Sequence, residues 1–305
     1  MSTVVAQNIP EKTPTAKARG VSVQMLAIAA RAMDFRIGAI VMAILVLASL
    51  LAPTMLGLSP TKMDIVSKFT PPAVFDGGTW KHLFGTDQLG RDLLARSLIG
   101  LRNALMIGVV SVAGIFAVGA TVGMVAGYFG KWVDLVLMRL TDVQMAVPVI
   151  ILAITILGVS RPTPASIIFV LVLAGWPSYA RVVRSVAISE RRKEYVRAAA
   201  ILGASDIRIM LRHIAPNILP PVAFVAILDV ARMMIFEAIF GFIGIGIQPP
   251  TPTFGTIIAD GTKYLLNAWW ITTVPGLLLA LCLCSINLMG GAMERARNQL
   301  LRGQQ

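Results

Sequence analysis

Five ionisable side chains stand inside long apolar runs of this 305-residue sequence: Arg139 and Asp142 in one run, Asp229, Arg232 and Glu237 in another. A charge at bilayer depth costs about 2.5–3.5 kcal/mol on insertion scales, so such groups face a bundle interior or a water-filled cavity. Asp229 and Arg232 are three apart, share a helix face and can neutralise one another; Arg139 and Asp142 have the same spacing. An ion pair within each couple is the structural reading. The functional reading is a polar wall along a passage, with Asp142 and Glu237 lining or gating it and Asp229 and Arg232 beside them. Glu237 lies five residues beyond Arg232, off that face, where a neighbouring helix end is expected to hydrogen-bond its carboxyl.

The other reactive residue types point to no bond-making chemistry. His82 and His213 fall on opposite sides of the apolar spans and cannot share a metal, so no metal site is expected. Cys282 and Cys284, two apart on a helix, point to different faces. No Ser-His-Asp order, paired-carboxylate cleft or HExxH run is found. The one Gly-Lys pair, Gly130-Lys131, is followed by Trp132, so the chain carries no GxxxxGK[ST] loop to cradle ATP phosphates. It is expected to bind no cofactor of its own.

The elements that must position these groups follow from composition. The chain is 56% hydrophobic and 14% charged, with a mean hydropathy of +0.78. Soluble domains run at roughly 45–50% apolar and about 25% charged, so this chain cannot cover its own surface for water. The net charge of +12 is spread between apolar runs rather than gathered in one patch, which argues against nucleic acid as a partner. Six segments are apolar over about the 20 residues that a crossing helix requires: Ile37–Leu58, Ala104–Phe129, Val133–Gly158, Ala165–Ala180, Leu219–Ile247 and Trp270–Met289. The tail before the first (Lys12, Lys17, Arg19, Arg31, Arg36), the loop after the fourth (Arg181 to Arg212) and the C-terminal tail (Arg295, Arg297, Arg302) are basic. The positive-inside rule places all three, and both termini, in the cytoplasm. Residues 1–30 read as a mobile tail. Residues 1–100 form the tail, first span and outer segment, and residues 101–305 a five-helix core. Gly119, Gly123 and Gly127, at intervals of four, line one helix face for close approach of another.

About 35 residues separate the fourth and fifth spans, far more than a helical hairpin requires. Tyr195, Ala198, Ala199 and Leu202 share a helix face, and Gly203 ends that helix. Ser205 or Asp206 can cap a second one, which carries Ile207, Met210 and Leu211 and is expected to stop before Pro216. Such an elbow is shaped to dock into another protein; adsorption onto anionic lipid is the plainer alternative.

This run resembles the EAA loop, E-A-A-x3-G-x9-I-x-L-P, of ABC importer permeases. Ala198, Ala199, Gly203 and Pro216 match, with Arg197, His213 and Ala215 in place of Glu, Ile and Leu. The stretch from Phe84 to Arg102 is similar to the FGTDxxGRDxxSRxxxGxR segment of the dipeptide/oligopeptide/nickel permease group, with Ala95 for Ser. Glu237 with Phe242 to Gly255 resembles that group's E-x-x-LSFLGxGxxxPxxxWG. The segment after span one is like that of the C-type subunit.

The resemblance implies an all-α, six-helix membrane protein of the type I ABC importer permease fold in the inner membrane. It implies a homologous permease partner, two cytoplasmic ATPase subunits holding ATP-Mg, and an extracytoplasmic solute-binding protein. Glu194, Arg197, Ala198, Ala199, Gly203, Asp206, His213 and Pro216, within a loop at about 183–218, would couple to the ATPase. The outer segment, with Asp87, Gly90, Arg91 and Asp92, would meet the binding protein. Peptides are the expected cargo; the same group also serves nickel, glutathione, opines and other small solutes. A stand-alone secondary transporter is the rival, and its signature of inverted repeats with broken helices is not read in the sequence.

Overall fold

A computed structural model describes residues 24–302 except 56, 58, 160 and 161. Most of the expected N-terminal tail lies outside the described residues. The architecture rests on the helices α1 Met33–Met55, α2 Leu93–Phe129, α3 Lys131–Ala146, α4 Val149–Leu157, α5 Pro164–Arg191, α6 Glu194–Ile201, α7 Ala215–Phe242, α8 Phe254–Thr262 and α9 Trp270–Arg302. Each expected span falls on one of them or on a pair. Among the described residues, four helices are long and apolar enough to cross a bilayer, or five if a bent pair counts as one. The 28-residue α7 matches the remaining expected span.

The bent pair corrects the third span. Instead of one rod over Val133–Gly158, α3 and α4 meet at 83° across Val147 and Pro148. Pro148 lacks the N–H a continuing helix needs, and its ring drives the preceding residue out of the helical region; Val147 sits at φ −89°, ψ 116°. A broken helix does occur here, contrary to expectation. Two other spans exceed their predicted ends. α2 starts at Leu93, eleven residues before Ala104, because Asp92 Oδ1 accepts the Ala95 N–H at 2.8 Å and the polar residues that follow are buried. α5 runs on to Arg191 after a start at which Thr163 and Ser166 exchange side-chain and backbone bonds.

The core is the α2–α5 pair. A Cβ on Gly119 would lie 2.5 Å from Tyr179 Cβ, and one on Gly127 would lie 2.7 Å from Ala187 Cβ, so the glycine ladder is a close-approach seam. Tyr179, Val183 and Ala187 of α5 and Ile107, Val112 and Ile115 of α2 share one buried cluster with Ile209, Ile214 and Phe240. α1 packs at the margin, with Leu45 against Cys282 and Ile286 of α9 and Asp34 paired to Arg295. Its outward face, including Ile37, Ile40, Ile44 and Leu47, is half exposed or more, as suits a helix facing lipid tails.

Candidate functional site

Two regions at opposite ends of the α2–α5 pair, and the charges between them, carry the candidate residues. At the α2 start, Phe84–Asp92 folds into a buried ionic knot. Asp87 Oδ2 accepts from Arg91 Nε at 2.7 Å and lies 3.5 Å from Arg96 Nε, while Asp87 Oδ1 accepts the backbone N–H groups of Leu89 and Arg91 at 2.8 and 3.0 Å. Asp92 Oδ2 meets His82 Nδ1 at 2.9 Å. Gly90 adopts φ +72°, and a Cβ there would run into the Asp64 carbonyl oxygen. Trp270 Nε1 donates to the Thr86 carbonyl at 3.1 Å, fastening the knot to α9. Asp87, Arg91 and Asp92 are each at most 7% exposed, so within the outer segment their charges are paired inside the fold rather than displayed on its surface. The apolar side chains around them, Val66, Val74 and Trp80, stand out instead, each at least 79% exposed.

At the other end lies the elbow. α6 closes with the Ala204 N–H on the Ala199 carbonyl and the Gly203 N–H on the Ala200 carbonyl, both 3.0 Å, with Gly203 at φ +80°. This paired closure needs a left-handed residue, which glycine supplies without strain. Ser205 takes the cap position without a side-chain bond. Asp206 instead accepts the Tyr128 hydroxyl at 2.6 Å. The second helix does not stop before Pro216. The chain passes from Asp206–Arg208 through a wider π turn at Ile209–Ile214 straight into α7. The wider turn relieves the clash between the proline ring and the carbonyl four residues back, and the missing N–H costs little at a helix start.

A second fastening holds the elbow down. The buried Glu190 accepts from Lys193 Nζ at 2.5 Å and from the Tyr195 hydroxyl at 2.6 Å; Asn217 Nδ2 donates to the Tyr195 oxygen and to the His213 carbonyl, both at 2.9 Å. Burial, and then the bond to Glu190, push the Tyr195 phenol well above its ordinary range, so it remains a donor. Tyr128, Glu190 and Asn217 were not candidates. Tyr128 carries no local signal, since its partner is 78 residues away. Val196, Ile209 and Ile214 pack inward, while Ile201 and Leu202 are 86% exposed and Ile207 and Leu211 66%. Arg197 faces a recess shared with Arg191 and Arg192.

Between the two ends, Asp229 and Arg232 pair at 3.0 Å as their spacing predicts. Arg139 and Asp142 do not. Asp142 Oδ1 accepts from Arg181 of α5 at 2.7 Å, and Arg184 grips Asp134 with two nitrogens, Nη2 to Oδ2 at 2.6 Å. The facing helix reaches α3 before a neighbour on α3 itself can. Glu237 is wholly buried where α7 crosses the start of α8, its carboxyl beside the side chain of Thr253, the cap residue of that neighbouring helix. Asp229 and Arg232 thus share a cavity of about 190 Å³, while Asp142 lines a separate recess and Glu237 lines neither. Among the described residues, no three His, Cys, Asp or Glu side chains could hold a metal ion together.

Comparison with known proteins joins these parts. Residues 119–299 match the family described as binding-protein-dependent transport system inner membrane component. The chain is 32% identical to the dipeptide transport system permease protein DppC of Haemophilus influenzae, over 87% of this chain and 90% of that one. It is 34% identical to the di/tripeptide transport system permease protein DppC of Pseudomonas aeruginosa, over 87% and 88%. A Brucella suis permease named for peptide transport is 40% identical over 87% of each chain. Among solved structures, an inward-facing MetNI methionine ABC transporter aligns with a TM-score of 0.51 at 22% identity, over 68% of this chain and 95% of that one, a likeness of fold. The chain therefore belongs to the binding-protein-dependent transport system inner membrane components, as a multi-pass permease subunit of an ATP-binding-cassette importer.

Proposed function

We propose that this permease carries short peptides inward, paired with a homologous permease, two cytoplasmic ATPase subunits that hold ATP-Mg, and an extracytoplasmic solute-binding protein. Both termini and the elbow face the cytoplasm in this reading, in keeping with the basic residues of the loop and tails. Hydrolysis belongs to the ATPase subunits. Closure of the ATPase pair pushes the elbow, and the elbow moves α5 and α7, which flank it directly in the chain. Peptide as cargo is supported by the names of the relatives.

The observation that carries the coupling role is the exposed apolar quartet Ile201, Leu202, Ile207 and Leu211, held on an elbow that Asp206 and Tyr195 tie to the bundle. A lipid-adsorbing loop needs no such fastening; a lever transmits force only if it is stiff. The test replaces Cys282 and Cys284 with serine, introduces Leu202→Cys, and oxidises membranes containing the whole complex whose ATPase carries cysteines around its surface. Disulfides to the ATPase that rise and fall with nucleotide are expected. Reaction of the introduced thiol with lipid-soluble reagents alone, and never with the ATPase, removes the reading.

A further inference from the structure

The cavity between α2, α4, α5 and α7 presents groups for both signs of charge. Asp229 is 4% exposed and pairs with the Arg232 guanidinium at 3.0 Å. Tyr179, 3% exposed, lines the same space, its hydroxyl beside the Asp229 carboxylate. Arg232 commits one nitrogen to Asp229 while most of its side chain remains exposed, so further donors are free at the cavity mouth.

The broken span adds a further element. Val149, the first residue of the nine-residue half helix α4, lines the cavity. The first intrahelical bond there runs from the Leu152 N–H to the Pro148 carbonyl, at 3.1 Å. The N–H groups ahead of it are left without helical acceptors, at the positive end of the helix dipole. At about 190 Å³ the space is smaller than the roughly 300–1,000 Å³ of pockets that enclose whole drug-sized ligands. It takes one end of a molecule.

We infer that this cavity is a binding site within the permease for the amino-terminal end of a short zwitterionic peptide. The ammonium is received by the Asp229 carboxylate and the hydroxyl oxygen of Tyr179. The chain's carbonyl or carboxylate oxygens face Arg232 and the start of α4. The inference rests on the peptide reading above, and adds that the permease checks the free amino end after the binding protein has released its cargo.

The test uses the complete reconstituted complex with its binding protein. A photoreactive benzoylphenylalanine replaces Ser178, which lines the cavity, and radiolabelled alanylalanine is the probe during turnover. Labelling of the permease is expected, with competition by unlabelled alanylalanine and none by its N-acetyl form. Tyr179→Phe removes only the hydroxyl and should lower alanylalanine uptake about tenfold, the effect of losing one hydrogen bond to a charged group; Asp229→Asn should lower it further. Co-purification confirms that each variant complex assembles. Wild-type uptake together with unaltered uptake in Tyr179→Phe, or labelling that the N-acetyl form competes equally, overturns this site and leaves the peptide reading standing. Failure of the wild-type complex to take up any dipeptide removes the peptide reading, and this site with it.

Discussion

The knot at Phe84–Asp92 and the elbow at Glu194–Ile214 are both charged loops at the ends of the same helix pair, yet the knot buries its charges and the elbow leaves most of its own in the open. In the knot, Asp87, Arg91, Asp92 and Arg96 turn inward and pair. In the elbow, Arg197, Arg208 and Arg212 stay exposed beside Ile201, Leu202, Ile207 and Leu211, while Val196, Ile209 and Ile214 are buried and Asp206 and Tyr195 bond to the bundle. The difference teaches where each loop completes its polar pairing. Buried, paired charges make a rigid mount whose interactions are complete within the chain. The elbow's Ile201, Leu202, Ile207 and Leu211 stand exposed on a stiff support, and large exposed apolar side chains so held suit an interaction surface.

Breaking the knot should have the largest effect. Asp87→Ala leaves two buried guanidinium groups without their carboxylate, a loss of about 3–5 kcal/mol. Thermal melting of the solubilised permease and its yield should both fall sharply, while exchange of the neighbouring exposed Trp80 for alanine should change melting little. A double Ile201→Asp, Leu202→Asp elbow should do the reverse. Melting stays near wild type, and affinity for the ATPase falls on the order of a hundredfold, as the loss of two buried aliphatic contacts implies; quantitative co-purification reads it. If melting falls as far as affinity, the elbow is part of the mount and the comparison fails.

Smaller effects sharpen the picture. Gly123→Ala places a methyl group against the Ala180 carbonyl of α5, an overpacking loss of about 1–3 kcal/mol, visible as a lower melting temperature with ATPase binding retained. Tyr195→Phe removes the bond to Glu190 and should cost about 1 kcal/mol. Its signature is faster hydrogen exchange confined to α6 and the π turn, with a modest drop in transport per ATP hydrolysed. Exchange that spreads across α2 and α5 instead would show that the fastening supports the whole bundle.

What could be read in the residues follows a physical boundary. The Gly119–Gly127 ladder, the stop at Gly203, the Asp229–Arg232 pair and the opposed faces of Cys282 and Cys284 all depend on helical period or on one residue's allowed backbone angles. The break at Pro148 had its cause in view, but the apolar run on either side reads as a single span because hydropathy averages over a kink. The π turn that carries the chain past Pro216 is hidden for a related reason: proline signals disruption without specifying whether the helix stops or widens.

The amino-acid sequence by itself determined the membrane class, the positions of the helices, the elbow and the family, because apolar run length, residue spacing and backbone preference act over a few turns. Only the tertiary structure decided that Asp142 belongs to Arg181, that Tyr128 holds Asp206, that Trp270 locks Thr86, and that Asp87 is buried rather than offered. These contacts join residues 39 to 184 positions apart, or depend on burial that distant segments create. Side-chain pairing at such range is set by which helices touch, and a charge takes the partner that packing brings nearest.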